Sequence, residues 1–296
     1  MSMSTTDVVR YRGRFAPSPT GPLHLGSLTT ALASYLDAQY NQGQWLLRLE
    51  DIDPPREVDG AADSIIKCLA SHGLQSNIAT IWQHNNWQRY RDTCQQLISA
   101  GQAFYCECPR RQQDELGRCT SGCYKKNLGA RNNNLRAALP LTDLNFIDRV
   151  YGLVETPKRT FDNAIIWRRD DLPAYLLAVV VDDVDSKVTD IVRGDDLLHE
   201  TQRQLALYAL LEQRPPRFAH IPVVLNEEGK KLSKQTGATG LDNTQALENL
   251  QRAIQHLGLE LGAQLPSDNP QSLIARAIQH WRLPEPRLQK GQSIIN

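Results

Sequence analysis

The sequence lacks long apolar runs. No stretch approaches the roughly 18–20 apolar residues that a membrane-spanning helix requires, and the amino-terminal residues include no apolar run of signal-peptide length. Membrane insertion and secretion are therefore not expected. We expect a cytoplasmic protein without a membrane partner, and a monomer.

The sequence also lacks an excess of charge of either sign. Lys and Arg together number 33, as do Asp and Glu, which argues against a uniformly basic surface for nucleic acid. A phosphate-binding surface would have to be a local patch. No internal repeat or low-complexity tract is present, and 41% of the 296 residues are hydrophobic. A globule with a substantial core is expected.

Cysteine is scarce and unevenly placed. Cys68 and Cys94 stand alone inside helical patterns, whereas the other four form one C-x-C-x10-C-x3-C cluster: Cys106, Cys108, Cys119 and Cys123. In a reducing compartment this spacing predicts a closed tetrahedral Zn²⁺ shell, which would be structural because no position stays open for water. The alternative is four thiols without a metal, which would leave a polar segment with little to hold it folded.

Apolar periodicity alternates between strand and helix along the first hundred residues. Strands are predicted over 8–15 and 44–49, and helices over 25–40, 58–72 and 87–100. From 104 to about 159 the periodicity is lost, which indicates an insertion. It then returns, with strands predicted over 164–168, 190–193 and 221–225, a helix over 201–211, and a helix or strand over 175–181. Two helical patterns follow, near 244–257 and 271–281. Such alternation predicts an α/β fold with a parallel sheet.

A first motif, R-F-A-P-S-P-T-G-P-L-H-L-G-S, occupies residues 14–27 just before a predicted helix. A helix start presents unpaired N–H groups and partial positive charge, which suit a phosphate. Gly26 would let a ligand approach the backbone, and His24 would donate to a phosphoryl oxygen. The alternative is that the prolines and glycines are ordinary turn residues and His24 a surface residue.

A second motif, K-L-S-K, spans residues 231–234 on a glycine-flanked loop. Several lysines around a serine would form a mobile cationic arm able to close on a triphosphate. Taken alone, a lysine-rich loop is more often solvated surface.

Together the motifs P-S-P-T-G-x-L-H-x-G and K-L-S-K resemble the paired signature of class I aminoacyl-tRNA synthetases, and R-F-A-P-S-P-T-G resembles the glutamyl branch. The resemblance implies a Rossmann-type parallel sheet split by a zinc-binding insertion and followed by a small helical carboxyl-terminal region. The implied domains are 1–103 and 188–243 for the two catalytic halves, 104–187 for an acceptor-type insertion, and 244–296 for the helical region. ATP would bind with Mg²⁺ between the two signatures, and an amino acid would be adenylated.

The resemblance also implies roles for individual residues. His24 and Lys234 would be catalytic, since negative charge develops on the phosphoryl oxygens and the site needs positioned donors rather than a nucleophile. Ser27 stands where the generic signature has a second histidine. The implied ATP-binding residues are His24, Gly26, Ser27, Lys231, Ser233 and Lys234.

For glutamate, the family pattern carries over to six positions: Arg14, Ala16, Ser18, Glu50, Tyr175 and Arg193. The chemistry agrees, because two arginines can hold one carboxylate with fork geometry while Glu50 pairs with the ammonium. Without the resemblance, Glu50 would be read as a solvated acid before a Pro-Pro turn and Arg193 as a surface ion pair.

Basic residues surround the cysteine cluster: Arg110, Arg111, Arg118, Lys125, Lys126, Arg131 and Arg136. They predict either a local RNA-binding surface or an ordinary solvated face.

The segment after Gln235 is too short for the helical anticodon-reading region of a standard glutamyl enzyme. This shortened pattern is similar to the glutamyl-queuosine tRNA(Asp) synthetases, which transfer glutamate to the queuosine base at the wobble position of tRNA(Asp). In that family a tyrosine is the expected third zinc ligand, so Cys119 would be a substitution that keeps four ligands. The alternatives are a minimal synthetase that charges a tRNA 3′ end, and a zinc-dependent RNA-binding protein with a vestigial nucleotide site.

Overall fold

The computed structural model describes residues 10–140, 144–155, 162–226, 229–232, 238–261 and 269–286. The strands are β1 (Arg12–Phe15), β2 (Gln44–Leu49), β3 (Ile81–Trp82), β4 (Ala103–Cys106), β5 (Asn134–Leu139), β6 (Phe146–Asp148), β7 (Gly152–Val154), β8 (Asp162–Trp167), β9 (Asp190–Gly194) and β10 (Arg217–Ile221). The α-helices are α1 (Leu25–Tyr40), α2 (Ala61–Ser71), α3 (Trp87–Ser99), α4 (Tyr175–Asp185), α5 (Leu198–Leu210), α6 (Ala246–His256) and α7 (Pro270–Gln279). Of the helices in these ranges, none is both long and apolar enough to cross a bilayer.

A parallel sheet in two halves forms the centre of the fold. One half has the order β1-β2-β3, and the other has the order β7-β6-β10-β9, in which only β7 is antiparallel to its neighbour. The halves meet at β1 and β9, where the Thr189 N–H donates to the Arg12 carbonyl over 2.9 Å. The two halves of the sheet thus extend in opposite directions from this junction. In such sheets ligands bind at the carboxyl ends of the strands where the order reverses, so the predicted α/β, Rossmann-type fold is confirmed and its crevice is located.

A smaller antiparallel sheet, β4-β5-β8, lies within the predicted insertion. It packs against α3, α4 and α5 through a shared core that includes Leu97, Leu135, Ile166 and Leu177. Sequence periodicity missed β5 because this strand buries Asn134 and Arg136 among its apolar residues. The strand β6 also falls inside the range 104–187, but it pairs with β10 in the central sheet.

The carboxyl-terminal helices α6 and α7 pack against α1. Leu28, Leu32 and Leu36 recur at helical spacing on α1 and are fully buried, and Leu250 of α6 and Ile274 of α7 belong to the same core. This apolar stripe explains why α1 has the bounds predicted for it. The helical region therefore supports the helix that begins at the first motif.

Three sequence predictions of element bounds need correction, and one of them is the helix predicted over 201–211, which begins at Leu198. The strand predicted over 221–225 is β10, which runs from Arg217 to Ile221, and the error arose because His220 reads as polar although it is fully buried against Asp148. The helix predicted over 58–72 begins only at Ala61, since Gly60 before it has a φ of 73°. The segment 175–181, left open as helix or strand, is helical.

Asp37 of α1 joins distant parts of the chain. Its buried carboxylate accepts hydrogen bonds from the Tyr11 hydroxyl, from the Arg149 guanidinium at 2.6 and 3.0 Å, and from the Trp281 indole at 2.9 Å. One carboxylate thus connects the residue before β1, the segment after β6 and the end of the chain that follows α7. Removing one partner of a buried ion pair leaves the other charge uncompensated, which is costly.

We expect Asp37→Ala to lower the free energy of unfolding by about 3 kcal/mol, because Tyr11, Arg149 and Trp281 lose a shared buried acceptor and Arg149 keeps only the longer contact of 3.5 Å to Asp190. The measurement is the urea midpoint together with the slope of the transition. Asp92→Ala, at an exposed position of α3, is the matched control and should change stability by less than about 0.5 kcal/mol. Equal stability of the two variants would contradict the role given to Asp37.

Candidate active site

A cleft of about 540 Å³ opens at the carboxyl ends of β1 and β9. Ten of the predicted site residues line it: Arg14, Ala16, Ser18, His24, Gly26, Ser27, Glu50, Tyr175, Arg193 and Lys231. Ser233 and Lys234 lie outside the described residues. The structure therefore brings the described residues of both motifs and of the glutamate set to one cavity, although their individual roles stay predictions.

The start of α1 is organised by His24 and Ser27. His24 Nδ1 accepts a hydrogen bond from the Ser27 N–H at 3.2 Å, and the Ser27 hydroxyl contacts the His24 backbone N–H at 2.8 Å. This capping box satisfies two backbone donors that a helix start otherwise leaves unpaired. Because Nδ1 accepts, the proton of the neutral imidazole lies on Nε2. His24 can therefore donate from Nε2 to a phosphoryl oxygen, and Ser27 orients the ring.

The two motifs meet at Gly26. A methyl group added at Gly26 would lie 3.2 Å from the His24 ring and 3.4 Å from the Leu232 carbonyl oxygen. A side chain here would therefore crowd the His24 ring, whereas its distance to the lysine segment would be an ordinary van der Waals contact. On the other side of the cleft, Lys231 Nζ forms an ion pair with Asp196 at 2.6 Å. This pair ties the lysine segment to the short helical turn after β9.

Asp183 of α4 holds two arginines at the floor of the cleft. Its carboxylate receives Arg14 Nε and Nη2 at 3.2 Å each, and Arg48 Nη1 at 2.6 Å. All three residues are buried. Burial alone would raise the pKa of Asp183, but the two guanidinium groups lower it below its usual value. Asp183 is therefore an anion that orients Arg14, and sequence reasoning missed it, although the D-D pair ending an apolar helix was the available signal.

Glu50, at the end of β2, has an unusual environment. Burial raises the pKa of Glu50 to about 7, against the opposing effect of Arg48 and Arg14. Arg48 Nη2 lies 3.5 Å from its carboxylate. Tyr175 lies close by, and burial raises the pKa of its hydroxyl, as does the negative charge of Glu50. An arriving ammonium group would favour the ionised form of Glu50.

Arg193 is positioned by a chain of buried groups. Its Nε donates to His220 Nε2 at 3.0 Å and its Nη2 to the Thr201 hydroxyl at 2.7 Å. His220 Nδ1 in turn contacts Asp148 at 2.6 Å. Burial lowers the pKa of His220, so a neutral ring accepts from Arg193 and donates to Asp148. Arg193 Nη1 is buried and has no hydrogen-bond partner within the described part of the chain, which suits a carboxylate of the substrate.

The four predicted metal ligands lie together in the insertion. The sulfur atoms of Cys106, Cys108, Cys119 and Cys123 are all buried and lie within 4.8 Å of one another. Cys108 Sγ is 3.6 Å from Cys119 Sγ and 3.4 Å from Cys123 Sγ, far longer than a disulfide bond of about 2 Å. A tetrahedral metal with bonds of about 2.3 Å spaces its sulfurs by nearly 4 Å. The cluster therefore has the geometry to hold a metal ion.

The basic surface expected around this cluster is smaller than predicted. Arg136 is fully buried and donates to the Gly117 carbonyl and to Asn163, each at 2.9 Å, so its place on the surface was wrong. Lys126 pairs with Glu107 at 2.8 Å. Arg110 and Arg111 remain exposed.

Comparison with known proteins identifies the family. Residues 10–268 match the family of class I tRNA synthetases (E and Q), catalytic domain. A glutamyl-Q tRNA(Asp) synthetase of Vibrio vulnificus is 42% identical over 275 residues, which cover 92% of this chain and 90% of the relative. One of Vibrio cholerae is 39% identical and covers 98% and 99% of the two chains. The chain belongs to the glutamyl-Q tRNA(Asp) synthetase family. It is thus a ligase of the class I aminoacyl-tRNA synthetase type.

Solved structures agree with this family assignment. A glutamate tRNA ligase from Elizabethkingia meningosepticum superposes with a TM-score of 0.65 and 28% identity over 77% of this chain. The superposed part is 52% of that protein, so this chain corresponds to about half the length of that ligase. A protein described as a putative arginyl-tRNA synthetase from Campylobacter jejuni, with a TM-score of 0.52 and 10% identity, shares the fold.

The pKa of Glu50 predicts how glutamate binding depends on pH. If ionised Glu50 pairs with the ammonium, the KM for glutamate in pyrophosphate exchange should fall as pH rises, with a midpoint near 7, and should change about tenfold per pH unit well below it. Glu50→Gln should remove this dependence and raise KM.

The free energy of unfolding should fall as pH rises, whereas the affinity for glutamate should increase. Since folding raises this pKa from 4.5, the folded state binds more protons than the unfolded state up to about pH 7, and Glu50 ionisation weakens folding as pH rises through that window. A KM that is flat between about pH 6 and 8 would contradict the role of Glu50 in binding the ammonium.

Proposed function

We propose that this protein activates L-glutamate with ATP and transfers the glutamyl group to queuosine at the wobble position of tRNA(Asp). The observation that carries the proposal is the single cleft that is lined by the helix start of the first motif, the lysine segment, and the residues Glu50 and Arg193. Relatives named glutamyl-Q tRNA(Asp) synthetase, at 39–44% identity, support the choice of acceptor.

In the first step an oxygen of the glutamate α-carboxylate attacks the α-phosphorus of ATP. A new P–O bond forms, the bond to the β-phosphate breaks, and pyrophosphate leaves with the electron pair. His24 Nε2 and the backbone N–H groups at the start of α1 stabilise the charge that grows on the α-phosphate oxygens. Lys234 is proposed to neutralise the triphosphate, and Mg²⁺ bound with ATP would supply further positive charge there.

Recognition of glutamate divides between charges of opposite sign. Glu50 and the Tyr175 hydroxyl face the ammonium, while Arg193 and Arg14 face the side-chain carboxylate. Ala16 and Ser18 lie along the cleft beside β1. Because Arg193 and Arg14 are each held by buried partners, they need little reorganisation when substrate arrives, which favours selective binding.

In the second step a hydroxyl of the queuosine cyclopentenediol attacks the carbonyl carbon of glutamyl-adenylate. An ester C–O bond forms, the C–O bond to the phosphate breaks, and AMP leaves with that electron pair. The hydroxyl proton passes to an oxygen of the departing phosphate. No nucleophilic side chain is needed, since the adenylate is already activated.

The decisive experiment charges queuosine-containing tRNA(Asp) with labelled glutamate and then cleaves the product with a nuclease. Label should remain on the anticodon fragment. The control acceptor is the same tRNA carrying guanosine at the wobble position, which should take no label. Label on the terminal adenosine would instead support a minimal synthetase that charges the 3′ end.

A separate measurement tests the activation step. Exchange of pyrophosphate into ATP should depend on glutamate and should proceed without tRNA, because the described glutamate residues are placed by the protein alone. Absence of exchange would favour an RNA-binding protein with a vestigial nucleotide site.

We further propose that the four cysteines of the cluster hold a structural Zn²⁺ ion. Four thiolates close a tetrahedral shell and leave no position for a reacting water. Such a shell carries two net negative charges, and the fully buried Arg136 lies against Cys106, so its charge compensates the site. The metal would hold the insertion in shape rather than take part in the reaction.

Metal analysis of protein purified without chelator should find about one zinc per chain. Cys106→Ser should weaken zinc binding at least about tenfold and should lower transfer to tRNA while sparing pyrophosphate exchange. Cys68→Ser, a buried thiol outside the cluster, should retain the metal. Zinc-free protein with full transfer activity would contradict the structural role.

A further inference from the structure

A second cavity, of about 300 Å³, adjoins the cleft. The two share Ser18, Thr20, Glu50 and Tyr175 as a common wall. The outer wall of the second cavity contains Asp53, Arg56, Glu57, Gln83 and Arg168. This place lies beside the proposed glutamate residues and is lined by neither His24 nor Lys231. It is therefore a separate space beside the proposed glutamate residues, away from the side proposed for ATP.

Most charges of the outer wall neutralise one another. Asp53 forms ion pairs with Arg56 and with Arg168, the latter at 3.1 Å. These contacts hold the pKa of Asp53 below its usual range, even though burial acts to raise it. The charge of Asp53 is therefore already compensated, and both arginines of the wall already form ion pairs.

Glu57 differs from the other acid of the wall. Its Oε1 is buried and has no hydrogen-bond partner among the described residues, and no arginine or lysine in those ranges forms an ion pair with it. Burial raises the pKa of Glu57, as does the nearby charge of Asp51, and these effects outweigh a hydrogen bond from the Asp53 backbone and the nearby His84, which lower it. A buried acceptor without a donor is unfavourable, so this side of the cavity is complete only when an occupant brings a donor.

Gln83 supplies a second unmatched acceptor. The residue is fully buried, and its Nε2 donates to Asp182 at 2.7 Å. Tyr90 and Asn86 also donate to Asp182, so the nitrogen of the Gln83 amide must face this carboxylate. Its Oε1 is then directed away from Asp182 and has no partner in the described part of the chain.

The occupant of this cavity must therefore be rich in donors and is favoured when it carries positive charge. The queuosine side chain has both properties: a secondary amine, protonated at neutral pH, joins the 7-deazaguanine to a cyclopentene ring with two hydroxyls. The terminal adenosine of a tRNA also offers a diol but has no cation. The buried, unmatched Oε1 of the Glu57 carboxylate thus distinguishes the two acceptors.

Resting on the function proposed above, we propose that this second cavity receives the queuosine side chain, that Glu57 pairs with its secondary ammonium, and that Gln83 accepts a hydrogen bond from its diol. The shared wall at Glu50 and Tyr175 then places a diol hydroxyl next to the glutamyl carbonyl. Glu57 acts as a specificity-determining residue, because the interaction it makes is absent for any acceptor that lacks the cation.

The test compares Glu57→Gln with Glu248→Gln, the same change at an exposed position of α6. Loss of a charge-assisted hydrogen bond should lower kcat/KM for transfer to queuosine-containing tRNA(Asp) by about tenfold to a hundredfold. Glutamate-dependent pyrophosphate exchange should be unchanged, because Glu57 does not line the larger cleft. Glu248→Gln should match the wild type in both assays.

Two free ligands distinguish a role of Glu57 in binding the queuosine side chain from an effect of its substitution on the structure of the protein. Free queuine should inhibit transfer by the wild type more strongly than 7-deazaguanine, which lacks the amine and the diol. Glu57→Gln should remove most of this difference, and Glu57→Asp, which keeps the charge, should restore part of it. Wild-type discrimination retained in Glu57→Gln would overturn the assignment.

The outcomes also distinguish the two proposals. If the wild type glutamylates queuosine but Glu57→Gln transfers equally well, the pocket assignment fails and the proposed function stands. If the wild type exchanges pyrophosphate but labels only the terminal adenosine, the proposed acceptor fails and the pocket assignment fails with it.

Discussion

The site depends on one buried carboxylate, Asp183, and the two guanidinium groups it holds. Arg14 comes from β1, Arg48 from β2 and Asp183 from α4, so a single ion cluster joins both strands of the first half to the helix beneath the cleft. In a low-dielectric interior such a cluster is stable only when every charge has its partner. The position of Arg14 in the cleft is thus set before any substrate binds.

On the other side of the sheet junction a second arginine is also positioned by buried partners before substrate binds, but these partners are of a different chemical kind. Arg193 on β9 is oriented not by a carboxylate but by the neutral ring of His220, whose orientation depends on Asp148 of β6. A neutral acceptor orients Arg193 and leaves its charge available, so the arrangement favours binding of an anion.

Local patterns predicted the parts of the fold that local interactions determine. The bounds of α1 and β2 were correct because apolar spacing and end signals agree there. The bounds of β10 were wrong because the burial of His220 depends on Asp148, far away in sequence. For the same reason Asp183, His220 and Gln83 were not recognised. The role of each depends on hydrogen bonds or ion pairs with residues that are distant in sequence and meet it only in the folded protein. The motif residues were found because each motif is a short run of neighbouring residues, which can be recognised without knowledge of the fold.

The two adjoining cavities separate the groups proposed for the two steps of the reaction. His24, Gly26 and Lys231 line only the larger one, whereas Asp53, Glu57 and Gln83 line only the smaller one, and Glu50 and Tyr175 lie between them. A glutamyl-adenylate held at this common wall would have its phosphate toward α1 and its carbonyl toward the smaller cavity. An acceptor hydroxyl arriving there would attack from the side away from the phosphate, so AMP could depart into the cleft without crossing the acceptor. On the proposed assignment, unmatched acceptors on one side and phosphate-binding groups on the other would let one catalytic domain carry out both steps.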